Sequence, residues 1–174
     1  MESPATETEL FTFLDKCQIA YKTHRHSPVF TVEEAQSVRA GMPKETGHGH
    51  SKNLFVRDKK KNHALIVAAE ERNIDLKSMA EKIGMGRLSF ASPDRLMAHL
   101  GVTPGAVTPF SLLNARQKPN TGGPEIQVVL DESLLKHSQV YFHPLHNAAT
   151  TAVSPDGLIK FIKVCGFEPL IIPL

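Results

Sequence analysis

Apolar residues at Leu10, Phe11, Phe13, Leu14 and Cys17 recur at helical spacing and predict a first helix over 9–17, capped by Thr6 or Thr8. Tyr21–Arg25 alternates weakly and predicts a strand that Ser27-Pro28 ends. Thr31-Val32-Glu33-Glu34 has the form of a capping box, Thr31 at the N-cap and Glu34 three residues on, opening a short helix to about Val38. Gly41-Met42-Pro43 and Gly47-His48-Gly49-His50 predict a flexible stretch. The clearest β signal spans 53–69. There Leu54-Phe55-Val56 and Ala64-Leu65-Ile66-Val67-Ala68 flank a polar turn, which predicts a hairpin at the centre of a sheet. Asp75 caps a helix through Ile83, Gly84-Met85-Gly86 forms a turn, and Ser92-Pro93-Asp94 opens a second helix through Leu100. Residues 101–109 form a loop, and 126–130 and 140–143 form strands. Ser154-Pro155-Asp156 starts a last helix with Leu158, Phe161, Ile162 and Cys165 on one face, closed by Gly166. Leu170-Ile171-Ile172 is a terminal strand.

Hairpins mixed with single helices do not make a regularly doubly wound sheet. The expectation is an α/β fold with a mixed, barrel-like β-sheet and surrounding helices, in one domain over 1–174 with no repeat or linker. At 174 residues, 41% hydrophobic and 22% charged, the composition is that of a globular domain. No apolar run approaches the ~20 residues of a membrane helix, and the acidic Met1–Glu7 is unlike a signal peptide. Cys17 and Cys165 read as small hydrophobes in a reduced, cytoplasmic protein. A net charge of +2 excludes a general polyanion binder. The charge is uneven, however: Arg57-Asp58-Lys59-Lys60-Lys61 sets four cations around one acid, and Arg116 and Lys118 follow the 101–109 loop. Such patches either guide a phosphate backbone or simply solvate a turn.

The candidate chemistry centres on Gly105-Ala106-Val107-Thr108-Pro109, where glycine allows φ > 0 and proline fixes φ near −65°, so that backbone N–H groups face a substrate. Lys52, at an expected strand start, supplies a cation for a phosphate. His143, at the end of an apolar strand, either points into a cleft or is a hydrogen-bonded structural residue. Asn53 and Asn147 each offer a donor and an acceptor. The pairs His24-x-His26, His48-x-His50 and His143-x-x-His146 lack the four ligands of a zinc centre, so neither metal nor cofactor is expected. There is no Gly-x-Ser-x-Gly elbow, Walker loop or dinucleotide fingerprint. The residues thus suggest a site that binds and orients an anionic substrate rather than attacking it covalently.

Three segments, Ser51–Asp58, Gly101–Pro109 and Val140–Thr150 with its Phe142-His143-Pro144 and Asn147, occur in the order seen in the YbaK/prolyl-tRNA-synthetase-associated domain family. The chain resembles the ProXp-ala (PrdX-like) branch of that family over nearly its whole length. The resemblance implies hydrolysis in trans of the ester joining a wrong amino acid, alanine in that branch, to the terminal adenosine of tRNA(Pro). It implies that Lys52 is needed for activity, that Gly105–Pro109 shapes the substrate site, and that His143 belongs to a small amino-acid pocket. The implied mechanism is substrate-assisted, with a ribose hydroxyl positioning water. The implied partners are the aminoacylated 3′ end of tRNA and prolyl-tRNA synthetase, with neither membrane nor DNA. A deacylase of the same fold acting on Cys- or Ser-tRNA, or a non-catalytic module binding RNA or an amino acid, stays open on the residues alone.

Overall fold

The helices begin where side chains can replace missing backbone partners. In α1 (Glu7–Lys16) the Thr6 hydroxyl accepts the Glu9 N–H, and the Glu9 carboxylate accepts the Thr6 N–H at 2.7 Å. In α2 (Val32–Ala40) Thr31 accepts the Glu34 N–H, but the Glu34 carboxylate reaches one residue further back, to the Phe30 N–H at 2.7 Å. Asp75, Ser92 and Ser154 cap α3 (Leu76–Ile83), α4 (Pro93–Leu100) and α5 (Pro155–Val164) as expected. The computed structural model describes residues 3–40, 47–116 and 126–174. The Gly41-Met42-Pro43 turn and Lys118 lie outside these described residues.

Among the described residues eight strands form one mixed sheet: β1 (Tyr21–Arg25), β2 (His48–Arg57), β3 (His63–Ala69), β4 (Ser89–Phe90), β5 (Ile126–Asp131), β6 (Gln139–Phe142), β7 (Ala149–Val153) and β8 (Leu170–Ile172). Their spatial order is β1-β7-β6-β2-β3-β5-β8, with β4 paired to β2. The expected hairpin β2–β3 is at the centre and antiparallel, while β2–β6, β3–β5 and β5–β8 are parallel. All seven residues of β3 are buried, as a strand covered on both faces requires. Phe55, Leu65, Val67, Val128, Leu130, Val140, Phe142 and Val153 come from five strands and share one core with α1, α4 and α5. The opposite face of β2–β3–β5 packs Val56, Ala64, Ile66 and Val129 on Met79, Ala80 and Ile83 of α3. Asp131 ties the ends of β3 and β5 by accepting from the Ala69 N–H (3.0 Å) and Arg72 Nε (3.3 Å). Burial alone would raise its pKa, but these donors and Ser133 hold it below the usual carboxylate range.

Two sequence expectations are corrected. Residues 48–50 are not a flexible stretch but the start of β2, because the N-terminal end of the strand finds β6 as a parallel partner. Lys52 therefore lies inside a ten-residue strand, not at its start. Both errors arise because a polar Gly/His run carries no β pattern of its own and is made a strand by a distant partner. Strand β7, the two-residue β4, and the 3₁₀ turns Pro109–Leu113 and Glu132–Lys136 were not foreseen. Cys17 and Cys165 are free. Burial pushes the Cys165 thiol up to about 12, which suits a core residue and not a nucleophile.

His63 opens β3 only 2% exposed, stacked on Phe55 (5.3 Å) and 4.3 Å from the His99 ring, with neither ring nitrogen hydrogen-bonded. Burial first, then the charges of His99, Arg95 and Arg57, push its pKa down from 6.5 to about 4. The folded state thus holds a neutral imidazole that the unfolded chain protonates below pH 6.5. The stability this neutral ring carries should fall as pH drops from 6.5 toward 4, by roughly 3 kcal/mol at the limit. Urea melts of wild type and His63→Phe across pH 7 to 4 check this. The gap between the two proteins should shift in favour of His63→Phe on acidification, and a constant gap would refute the assignment.

Candidate functional site

A cavity of about 520 Å³ opens between α2 and the β1–β7–β6–β2 half of the sheet. Five histidines line it: His24, His26, His48, His50 and His143. Strand alternation explains two of the pairs. Residues i and i+2 of an extended chain face the same way, so His24-x-His26 and His48-x-His50 each deliver two rings to one surface. The parallel register sets His50 opposite Tyr141, and their rings stack at 4.8 Å and 23°. Tyr141 hydroxyl is hydrogen-bonded to His48 Nδ1, and the His24 ring lies edge-on to Tyr141 at 6.5 Å. Below this cluster Ser51 Oγ donates to the Tyr141 carbonyl at 2.9 Å, and Asn53 Nδ2 approaches Ser51 Oγ at 3.4 Å. Asn53 Oδ1 is buried without a hydrogen-bond partner and so has acceptor capacity unspent.

His143 follows β6 and lines the same cavity. Its Nδ1 lies 2.9 Å from the Ala149 carbonyl, which can only accept, so Nδ1 carries the proton and Nε2 keeps its lone pair. Burial lowers its pKa, the Ala149 bond opposes this, and the neighbouring His26 and His146 lower it further. A neutral imidazole with a free acceptor nitrogen results. The loop carrying it turns through Leu145, a non-glycine residue at φ 73°. That conformation costs on the order of 1–3 kcal/mol and must be held from outside. His146 Nε2 bonds Glu7 at 3.0 Å, and Glu7 also takes a two-toothed contact from Arg25 at 3.0 Å for each oxygen. Asn147 accepts the Val29 N–H on its backbone carbonyl at 3.1 Å, while its side-chain amide donates to the Val29 carbonyl at 3.0 Å.

The sequence-predicted residues separate into two groups. His143 and Asn53 line the cavity. Asn147 does not; it clamps Val29, which does. Lys52 is absent from the lining; it is half-buried and pairs with Ala68 of β3. Gly105, at φ 88°, is exposed beside Val29, Phe30 and Asn147. Ala106, Thr108 and Pro109 are buried as packing residues, with Val107 half-buried. The expected row of free N–H donors is also shortened, since the Ala106 N–H is spent on the Thr103 carbonyl at 3.1 Å. Sequence reasoning missed His24, His26, His48, His50 and Tyr141 as lining groups. The two His-x-His spacings were the available signal. Among the described residues no group of three or more His, Cys, Asp or Glu side chains is placed to hold a metal ion, and no helix is long and apolar enough to cross a membrane.

Comparison with known proteins gives this geometry a context. Residues 26–161 match the aminoacyl-tRNA editing domain. The chain is 41% identical over 154 residues to the prolyl-tRNA editing protein ProX of Acetoanaerobium sticklandii, covering 88% of each. It is 36% identical over 171 residues to the prolyl-tRNA synthetase associated domain-containing protein 1 of Xenopus laevis, covering 94% of each. In fold it is similar to the solved hypothetical protein APE2540, with a TM-score of 0.70 at 20% identity over 97% of this chain and 98% of that one.

The state of His143 can be read directly. In a ¹⁵N-resolved imidazole titration its midpoint should lie below 6.5, with Nδ1 protonated in the neutral form. A midpoint above 6.5, or the opposite tautomer, would overturn the assignment of Nε2 as the free acceptor.

Proposed function

The chain belongs to the aminoacyl-tRNA editing domain family, and we propose that it is a deacylase that acts in trans to remove alanine from mischarged tRNA(Pro). The observation that carries this reading is a cavity of about 520 Å³ whose polar wall is made of imidazoles, hydroxyls, the Gln36 and Asn53 amides and the Glu70 carboxylate, with neither cysteine in it. Its volume lies in the range of small-molecule sites, and it can take an aminoacyl group together with its ribose. Ester hydrolysis without a covalent intermediate needs only a positioned water and hydrogen bonds for the developing charge. The water oxygen adds to the ester carbonyl, the bond from that carbon to the ribose oxygen breaks, and the ribose hydroxyl leaves with a proton. His143 Nε2, an acceptor, orients the water or the vicinal ribose hydroxyl. Asn53 lines the cavity, and its amide would have to turn the buried Oδ1, an acceptor without a partner, toward the substrate's α-ammonium to receive it.

Lys52 and the Gly105–Pro109 loop enter this reading through the family likeness, as a contact to the terminal phosphodiester and as the wall nearest the Val29–Asn147 junction. The partners are the aminoacylated 3′ end of tRNA and, through the charging error it corrects, prolyl-tRNA synthetase. The need for such a site is physical: a synthetase pocket shaped for proline excludes a smaller amino acid by only about 1–3 kcal/mol. A second site can admit alanine and refuse proline by overlap.

A panel of tRNAs carrying alanine, serine, cysteine and proline tests the substrate. Single-turnover hydrolysis should be fastest with Ala-tRNA(Pro), while Pro-tRNA(Pro) is spared. His143→Ala should lower alanine turnover and shrink the alanine-to-proline ratio. Equal cleavage of alanine and proline by wild type would defeat the size argument, and faster serine or cysteine removal would reassign the substrate.

The position of Lys52 away from the cavity lining makes its substitution informative. Lys52→Ala should lower the single-turnover rate about 100-fold, the scale of a lost charge-stabilising donor. Its melting temperature should stay close to wild type, because a half-buried lysine stem contributes little. An unchanged rate would confine Lys52 to the sheet face on which it lies.

A further inference from the structure

Phe30 is 69% exposed, and its backbone is nonetheless pinned. The Phe30 N–H donates to Glu34 at 2.7 Å, and the preceding Val29 is clamped by Asn147 through its N–H and its carbonyl. The ring lies against Gly105: a Cβ built there would come 3.5 Å from Phe30 Cδ1, 3.8 Å from Asn147 Nδ2 and 3.8 Å from the Val29 carbonyl oxygen. A glycine at φ 88° thus lets the aromatic edge and the loop approach closely. One residue away, Val29 is buried and forms part of the cavity wall. Three segments far apart in sequence, 29–30, 105 and 147, therefore meet beside the cavity and hold one aromatic ring out into solvent.

Resting on the deacylase reading above, we propose that Phe30 is the stacking platform for the 3′-terminal base of the tRNA substrate, a positioning residue outside the amino-acid cavity. A cavity that takes the aminoacyl group and ribose leaves the base to emerge at its rim, one residue from Val29. A nucleobase presents a flat π-face of the area one phenyl ring can cover, and aromatic platforms hold unpaired RNA ends in this way. A single ring covers far too little for a stable protein interface, which needs roughly 1,200 Å² or more. Stacking accepts any base, so this platform positions the ester without reading sequence. Discrimination is left to the cavity.

Two measurements test it. In single-turnover deacylation of Ala-tRNA(Pro), Phe30→Ala should raise the half-saturating enzyme concentration about tenfold, with little loss of maximal rate. Its melting temperature should be unchanged, since the ring is exposed. The chain has no tryptophan, so Phe30→Trp supplies a unique fluorophore. Its emission should be quenched by an RNA oligonucleotide ending in CCA, and much less by the same oligonucleotide ending in an abasic ribose. An unchanged half-saturation in Phe30→Ala, or equal quenching by the two oligonucleotides, would overturn the platform. Inactivity of the wild type toward every aminoacyl-tRNA would sink the deacylase reading instead, while the fluorescence titration still decides the base site.

Discussion

Strand β2 is shared between two partners, and the positions of His48, His50, Ser51 and Asn53 in the cavity wall follow from that division. Its first three residues pair in parallel with β6 and its last seven pair antiparallel with β3. At about 3.3 Å per residue the strand is some 30 Å long, and it carries polar chemistry at one end and core at the other. His48, His50, Ser51 and Asn53 line the cavity, whereas Phe55 and Val56 are buried. The change of partner is what allows this. Pairing with β6 brings Tyr141 beside His50 and turns a Gly/His run with little β propensity into the wall of a cavity. Pairing with β3 supplies the hydrophobic anchorage that the run lacks.

The loop between β6 and β7 is the second constraint. It reverses the chain from Phe142 to Ala149 and presents His143, at the expense of a left-handed Leu145. Its holding contacts are individually weak. Half-exposed ion pairs such as Glu7–His146 contribute on the order of 0–1 kcal/mol. Their value is positional: Glu7 on α1, Arg25 on β1 and His146 on the loop meet at one carboxylate, and Asn147 adds two hydrogen bonds to Val29. Burial would raise the Glu7 pKa, but Arg25 and His146 outweigh it and keep the carboxylate ionised, and so bonded, into mildly acidic conditions. The site is thus assembled by directional contacts, while the hydrophobic core beneath it supplies the stability.

Where local chemistry decides structure, the sequence could be read. Thr6, Asp75, Ser92 and Ser154 cap helices as their side chains dictate, and β3 announces itself by an unbroken apolar run. Where a distant partner decides, it could not. Strand β7, Ala149-Thr150-Thr151-Ala152-Val153, reads as nothing distinctive until β1 and β6 flank it. The same limit applies to the site. His143 and Asn53 were legible because one ends an apolar strand and the other precedes one. His48 and His50 were weighed only as metal ligands and set aside because no Cys or carboxylate accompanies them at ligand spacing. Lys52 was placed by its neighbours in sequence, and it lies inside β2, outside the cavity lining.

The composition of the cavity bears on how selectivity can arise. A volume of about 520 Å³ exceeds what an alanyl group fills, so the proposed refusal of proline could not come from overall size. It has to come from the part of the wall that the amino-acid side chain touches once ribose and base are fixed elsewhere. Under the proposed reading, fixing them would fall to groups outside the amino-acid contact: the clamped Val29 backbone, the Gly105 loop and the aromatic edge beside them. Fidelity in such a site would be set by how rigidly the common part of the substrate is held. A loosely held ester lets a larger side chain rotate into the unused volume, whereas a held one presses it against His143 and Phe142. The pinned segments around the cavity mouth would then contribute to discrimination although none of them touches the amino acid.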